Sequence, residues 1–154
     1  MTIFCDTNIV MEYLQQRQFA SQIEQILNKA LQNGDQLFLS VGSFYTITYL
    51  TERYLKTDQS LTKEIRVSRL RYILNGVLGI FTLTDQFEQS ISDGINDLLF
   101  DDLEDSYQAH VACDSGCDIL LTINEKHFSG FNGLHSIKVM TPMSFIETYK
   151  SEFD

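Results

Sequence analysis

Two groups of carboxylates, far apart in the chain, could do chemistry together. Asp6 follows the apolar run Ile3-Phe4-Cys5, and the cluster Asp101-Asp102-Leu103-Glu104-Asp105 comes much later. In an open α/β sheet, ligands bind in the crevice at the carboxyl ends of the strands. An acid directly after the first strand therefore points into the default site. If the later cluster meets it there, the carboxylates repel one another unless a divalent metal joins them. The chemistry to expect is cation capture by oxygen ligands.

Each acid also has a plainer role. Asp6 could cap a helix starting near Asn8, with Thr7 as a rival cap, and Asp102 could cap a helix from Leu103, with Glu104 and Asp105 in its first turn. Asp105 is harder to explain this way. It lies three residues after Asp102, so the two present carboxylates in one direction, and capping needs only one. A further run, Asp118-Ile119-Leu120-Leu121, leads to Thr122 and Asn124, which would reach the same rim as Asp6. An Asn oxygen there can join a metal shell or orient a bound water.

The elements that position these residues follow from pattern. Strands are expected at Ile3–Cys5, Gln36–Ser40, Ile80–Leu83, Asp118–Leu121 and Ile137–Val139. Between them lie helical spacings: Phe19 to Leu31, stopped by Asn33-Gly34; Phe44 to Tyr54, with Ser43 as cap; Ile65 to Leu74, stopped by Asn75-Gly76; Phe87 to about Leu98, capped by Thr84 or Asp85; Leu103 to Ser115, stopped by Gly116; and a last helix with Pro142 in its first turn and Thr141 as cap. Strands alternating with helices imply a mostly parallel sheet covered on both faces.

The 154 residues suit one domain, 1–154, with a real core: 44% are hydrophobic and 21% charged, with a single proline and no linker, repeat or low-complexity tract. No apolar run reaches the roughly 18 residues of a membrane span, and the N-terminus lacks the basic region of a signal peptide. Three cysteines, an odd count, suit reduced thiols in a cytoplasm. Cys113 and Cys117, with His110 just before, could form a metal site, but small buried residues on one helix face are the commoner meaning. A net charge of −10 argues against binding nucleic acid by bulk charge. Yet six of the eleven basic residues lie between Arg53 and Arg71. They form either a solvated helix face or a phosphate-contacting arm, with Arg66, Arg69 and Arg71 the candidates for RNA contact.

Five stretches together resemble the PIN-domain family, and within it the VapC-type toxins of bacterial toxin–antitoxin pairs. They are Asp6-Thr7-Asn8-Ile9-Val10-Met11-Glu12, Leu39-Ser40-Val41-Gly42-Ser43-Phe44, Asp102 to Ala109, Gly116 to Phe128, and Val139 to Phe145. Their order and spacing carry the resemblance, since each alone is common. It implies a three-layer α/β/α sandwich of about five strands and a Mg²⁺- or Mn²⁺-dependent endoribonuclease leaving 5′-phosphate products. It also implies a homodimer, to which the Val77-Leu78 and Phe81 region could contribute, and a cognate antitoxin. The first family acid falls on Asp6, the third on Asp105 and the fourth on Asn124, with Asp102 assisting. Asp6, Asp105 and Asp102 would be the metal ligands. The second family acid falls on Thr46, where a hydroxyl cannot supply the charge. Glu52, six residues on, would face elsewhere, and Asp102 and Glu104 could compensate.

Two other classes compete. A phosphohydrolase of the haloacid dehalogenase type needs a second Asp two residues after the first, and here that residue is Asn8. A PIN-like domain without nuclease activity, binding RNA or a protein partner, is the serious alternative because of Thr46.

Overall fold

The structure, a computed structural model, describes residues 1–85, 87–131 and 135–153. In chain order the elements are β1 (Thr2–Cys5), α1 (Thr7–Leu14), α2 (Ala20–Asn33), β2 (Gln36–Ser40), α3 (Val41–Thr57), α4 (Lys63–Ile80), β3 (Thr82–Thr84), α5 (Glu88–Asn96), α6 (Leu103–Asp114), β4 (Ile119–Leu121), β5 (Lys138–Met140) and α7 (Pro142–Thr148). A 3₁₀ turn, Glu125–Phe128, follows β4.

The five strands form one sheet in the order β3-β2-β1-β4-β5, and all four pairings are parallel. The chain winds outward from β1 through β2 to β3, then returns to lay β4 on the other side of β1. The order therefore reverses between β1 and β4, which is where such sheets open a crevice at their carboxyl ends. The central strands are buried on both faces, as apolar runs without alternation require. Ile3, Cys5, Leu37, Leu39, Ile119 and Leu121 enter one core with Ile9, Ile23, Ile26, Ile47 and Phe145 from the helices. Phe4, Leu120 and Val139 turn to the other core, with Ala109, Ala112, Phe128 and Phe131. Helices thus cover both faces, giving the three layers.

Several element ends differ from expectation. The cap of α3 is Ser40, not Ser43: its Oγ accepts from the Ser43 amide at 2.8 Å, so the helix starts directly off β2. Helix α4 runs through Asn75-Gly76 to Ile80, and β3 begins only at Thr82. Burying Val77 and Phe81 in the core offsets the roughly 1 kcal/mol a helical glycine costs. Those two side chains are therefore core, and of that stretch only Leu78 is exposed for a dimer contact. Helix α5 is capped by Phe87 with no side-chain bond, because Thr84 instead ends β3 and donates to the Leu39 carbonyl at 3.4 Å. It stops at Asn96, leaving Leu98 in solvent.

Other ends match their signals. Gly34 closes α2 at φ 73°, a left-handed cap that glycine adopts without steric penalty. Thr141 and Ser144 form a capping box at α7. No helix is long and apolar enough to cross a membrane among the described residues.

Candidate active site

The crevice between β1 and β4 is built around Asp6. Its amide continues the ladder to the Leu121 carbonyl at 3.0 Å, and its side chain is 2% exposed. It occupies the N-cap position of α1 without making a side-chain capping bond. Its Oδ2 instead accepts from the Thr122 hydroxyl at 2.9 Å. Thr122 is itself held by the Asn124 amide, which donates to its Oγ1 at 3.0 Å.

Helix α6 brings the acidic cluster in from the second layer. Asp102 caps it, with Oδ1 accepting from the amides of Glu104 at 2.8 Å and Asp105 at 3.3 Å. Asp105 is 6% exposed, and its Oδ2 lies 2.7 Å from Nδ1 of His127, on the turn after β4. Glu104 reaches α1, where its Oε1 lies 3.2 Å from the Thr7 hydroxyl. That hydroxyl is also 3.0 Å from the Ser43 hydroxyl and accepts from Gln108 Nε2 at 3.4 Å. Ser40, Ser43, Thr7 and Gln108 thus form a buried polar floor joining α1, α3 and α6.

Asp6, Asp102, Glu104, Asp105, Asn124 and His127 line one pocket of about 120 Å³, together with Thr7, Asn8, Thr46 and Leu50. Electrostatics reflects the crowding. Burial pushes the Asp6 carboxyl up to about 6; the Thr122 hydroxyl works against this, while Asp105 and Glu104 add to it. Asp105 is also raised, chiefly by burial and further by Asp102, with His127 opposing. No Lys or Arg among the described residues lines the pocket to relieve this.

All these donors except the His127 imidazole are hard oxygen or amide groups, a set suited to Mg²⁺ or Mn²⁺. Among the described residues, no group of three His, Cys, Asp or Glu side chains is placed to hold a metal ion. Mg²⁺ does not need one, because it binds through one or two carboxylates and keeps several waters. The donor chemistry therefore fits an open, water-rich cation site.

Thr46, on the second turn of α3, lies on this pocket wall. Glu52 does not: it pairs with Lys56 at 2.8 Å, on the side of α3 that faces Lys63 and Arg66 of α4. Asp118 sits at the opposite end of the sheet, where its carboxylate accepts from the Thr2 amide at 2.8 Å and hydroxyl at 2.9 Å. His110 bonds Asp97 at 2.9 Å rather than joining the cysteines. Cys117 is buried and Cys113 packs against the same core, with burial pushing their thiols up to about 12 and about 11. Arg66, Arg69 and Arg71 lie on α4 and do not line the acidic pocket. Arg66 donates to the Leu61 carbonyl at 2.8 Å.

Sequence reasoning missed the floor of Thr7, Ser43 and Gln108, and the partnership of His127 with Asp105. Hydroxyls beside a helix start read first as caps, and a histidine 22 residues from its partner leaves no local signal.

A family model described as PIN domain matches residues 2–126, and the chain belongs to the PIN domain family. Among solved structures, a similar chain comes from the crystal structure of VapBC2 from Rickettsia felis bound to a DNA fragment from their promoter. The two share 15% identity with a TM-score of 0.68, over 92% of this chain and 98% of that one. That likeness is one of fold. No curated protein matches.

Proposed function

We propose that this chain, as a single domain, is a divalent-cation-dependent endoribonuclease of VapC type, the toxin of a toxin–antitoxin pair. The observation that carries the reading is the convergence of Asp6, Asp102, Glu104 and Asp105 on one small pocket at the β1/β4 switch point. Of these only Asp6 and Asp105 are buried, with Asp102 and Glu104 exposed at the mouth. Buried carboxylates without a counter-charge are costly, and a bound cation would supply that charge. Asp6 and Asp105 are the principal ligands in this reading, directly or through water, with Asp102 and Asn124 at the rim.

A Mg²⁺ or Mn²⁺ ion held here would lower the pKa of an attacking water and offset charge on the scissile phosphate. The chain's own groups prepare the site. Thr122 holds the Asp6 carboxylate in one orientation and favours its ionised form. His127 does the same for Asp105. Asp102 keeps one oxygen on the α6 amides, fixing the start of the helix that carries Asp105. The resemblance implies 5′-phosphate products, an antitoxin partner and a homodimer, and the three cysteines suit action in a cytoplasm. A dimer contact would have to use exposed apolar groups such as Tyr72 and Leu78 on α4.

The test is cleavage of RNA with Mn²⁺ or Mg²⁺ and with a chelator, beside Asp6→Asn. Cleavage that needs metal and is lost in the variant supports the reading; metal-independent cleavage, or equal cleavage by the variant, contradicts it. Thr46 favours a second reading, a weakened PIN domain that binds RNA or a protein without cutting. Metal and RNA binding without cleavage would favour it.

A further inference from the structure

A second cavity continues from the acidic pocket. It measures about 400 Å³ and shares Asn8 and Leu50 with that pocket, so the two form one path across the start of α1 and the middle of α3. Its character is opposite. Arg17 and Arg53 line it, with Gln15 and Tyr54. In a chain of net charge −10, two guanidinium groups adjoining a carboxylate pocket are an uncommon placement.

Both arginines are set by their surroundings. Arg17 follows Gln16, which adopts φ 49°, a left-handed conformation uncommon for a side-chain-bearing residue. This tight turn between α1 and α2 is tied down by Glu12, which is 7% exposed. Glu12 Oε2 accepts from the Phe19 amide at 3.1 Å and its Oε1 lies 3.8 Å from Arg17 Nη1. Arg17 Nη2 also donates to Gln15 Oε1. With five N–H donors in a fixed fork, Arg17 can keep its ion pair with Glu12 and its bond to Gln15 and still donate to a phosphate. Arg53 lies over the Tyr49 ring at 5.7 Å, and Tyr49 and Tyr54 are both more than half exposed. Guanidinium groups beside open aromatic faces are what single-stranded nucleic acid requires: phosphate contacts for affinity and flat surfaces for unstacked bases.

We infer that the Arg17–Arg53 groove holds the sugar–phosphate backbone of the single-stranded RNA segment flanking the bond presented to the acidic pocket. Glu12 is then a positioning residue for Arg17. The inference rests on the ribonuclease reading above and moves RNA contact from Arg66, Arg69 and Arg71 on α4 to Arg17 in the α1–α2 turn and Arg53, the α3 end of the basic segment. Arg66 lines a separate cleft with Glu52, Lys56 and Lys63, and Arg71 another with Lys63 and Glu64; neither cleft shares a lining residue with the acidic pocket.

The test is fluorescence anisotropy with a 5′-fluorescein-labelled, unstructured RNA oligonucleotide in chelator, over a salt series, using the full chain. Arg17→Ala/Arg53→Ala should weaken binding about tenfold. It should also lower the slope of log affinity against log salt by about 1.4, two phosphate contacts' worth on a single strand. Arg53→Ala alone, which removes no bond that holds the turn, should lose about threefold, and Arg53→Lys should recover most of it. With Mn²⁺ present, the double variant should raise KM and leave kcat nearly unchanged, because the groove lies away from the reacting bond. A double variant that binds like wild type overturns the groove. So does a larger loss in Arg66→Ala/Arg69→Ala/Arg71→Ala. A wild-type chain that binds no RNA at all overturns the groove and the ribonuclease reading together, whereas wild-type cleavage with unaffected groove variants overturns the groove alone.

Discussion

Thr122 and Asp6, 116 residues apart in sequence, meet at the ends of neighbouring parallel strands, where the Thr122 hydroxyl donates to Asp6 Oδ2 at 2.9 Å. The bond couples the two sides of the sheet's switch point. It also favours the ionised form of an acid whose burial works against ionisation.

The raised Asp6 pKa has a defined sign in stability. Its carboxyl ordinarily titrates near 3.8 and in the folded chain near 6. Between those values the folded state holds the proton more tightly, so Asp6's contribution to stability falls as pH rises through that window. Above it the ionised, buried carboxylate destabilises the metal-free protein by about 3 kcal/mol. Asp6→Asn in chelator should therefore melt higher than wild type at pH 7.5, and the gap should close towards pH 4. Thermal denaturation at the two pH values checks this.

Thr122→Val removes the hydroxyl and leaves the volume nearly unchanged. Ionised Asp6 loses a charge-assisted hydrogen bond, so its pKa should rise further. Stability at pH 7.5 should drop by about 1.5–3 kcal/mol, with a smaller drop near pH 4. Paired melts of the variant and wild type measure it.

Thr46→Glu would place a carboxylate on the pocket wall where the family pattern has one. The added charge should tighten Mn²⁺ binding about tenfold and lower the stability of the metal-free protein. Calorimetric titration reads the first effect and a melt in chelator the second. Unchanged affinity would mean that the side chain does not reach the ion.

Gly94→Ala tests the close packing of α5 on α6. A Cβ built there would lie 2.7 Å from Cδ1 of Tyr107 and 3.4 Å from the Tyr107 amide, and Ser106 donates to the Gly94 carbonyl at 2.8 Å across the same contact. The helices would have to separate, at a loss of about 1–3 kcal/mol, measured by denaturant unfolding.

The fold was largely legible because its strands are apolar runs and its helices carry clean punctuation. The β2 limits, the Gly34 stop, the Asp102 cap and the Thr141-Pro142 start were all read from local residue types. The misplacements share a cause. Asn75-Gly76 signals a stop, but packing of Val77 and Phe81 carries α4 past it, and Ser43 reads as a cap until Ser40, at the strand end, takes that role. Within the site, Asp6, Asp102, Asp105 and Asn124 could be nominated because strand ends and helix starts are local features. The floor of Thr7, Ser43 and Gln108 could not, since its bonds span 36 to 101 residues. Arg53 could be named as part of the basic segment from Arg53 to Arg71, but Arg17 was hidden for the same reason, because the groove joins two cations from different elements.

The central claim is that the pocket between β1 and α6 is a divalent-cation site. Titration of Mn²⁺ into the purified protein by calorimetry, beside Asp6→Ala/Asp105→Ala, tests it most directly. The account predicts saturable binding at pH 7.5 that weakens below about pH 6, as protons compete for Asp6, and that vanishes in the double variant. Binding of equal strength in the double variant, or none in the wild type, would contradict it.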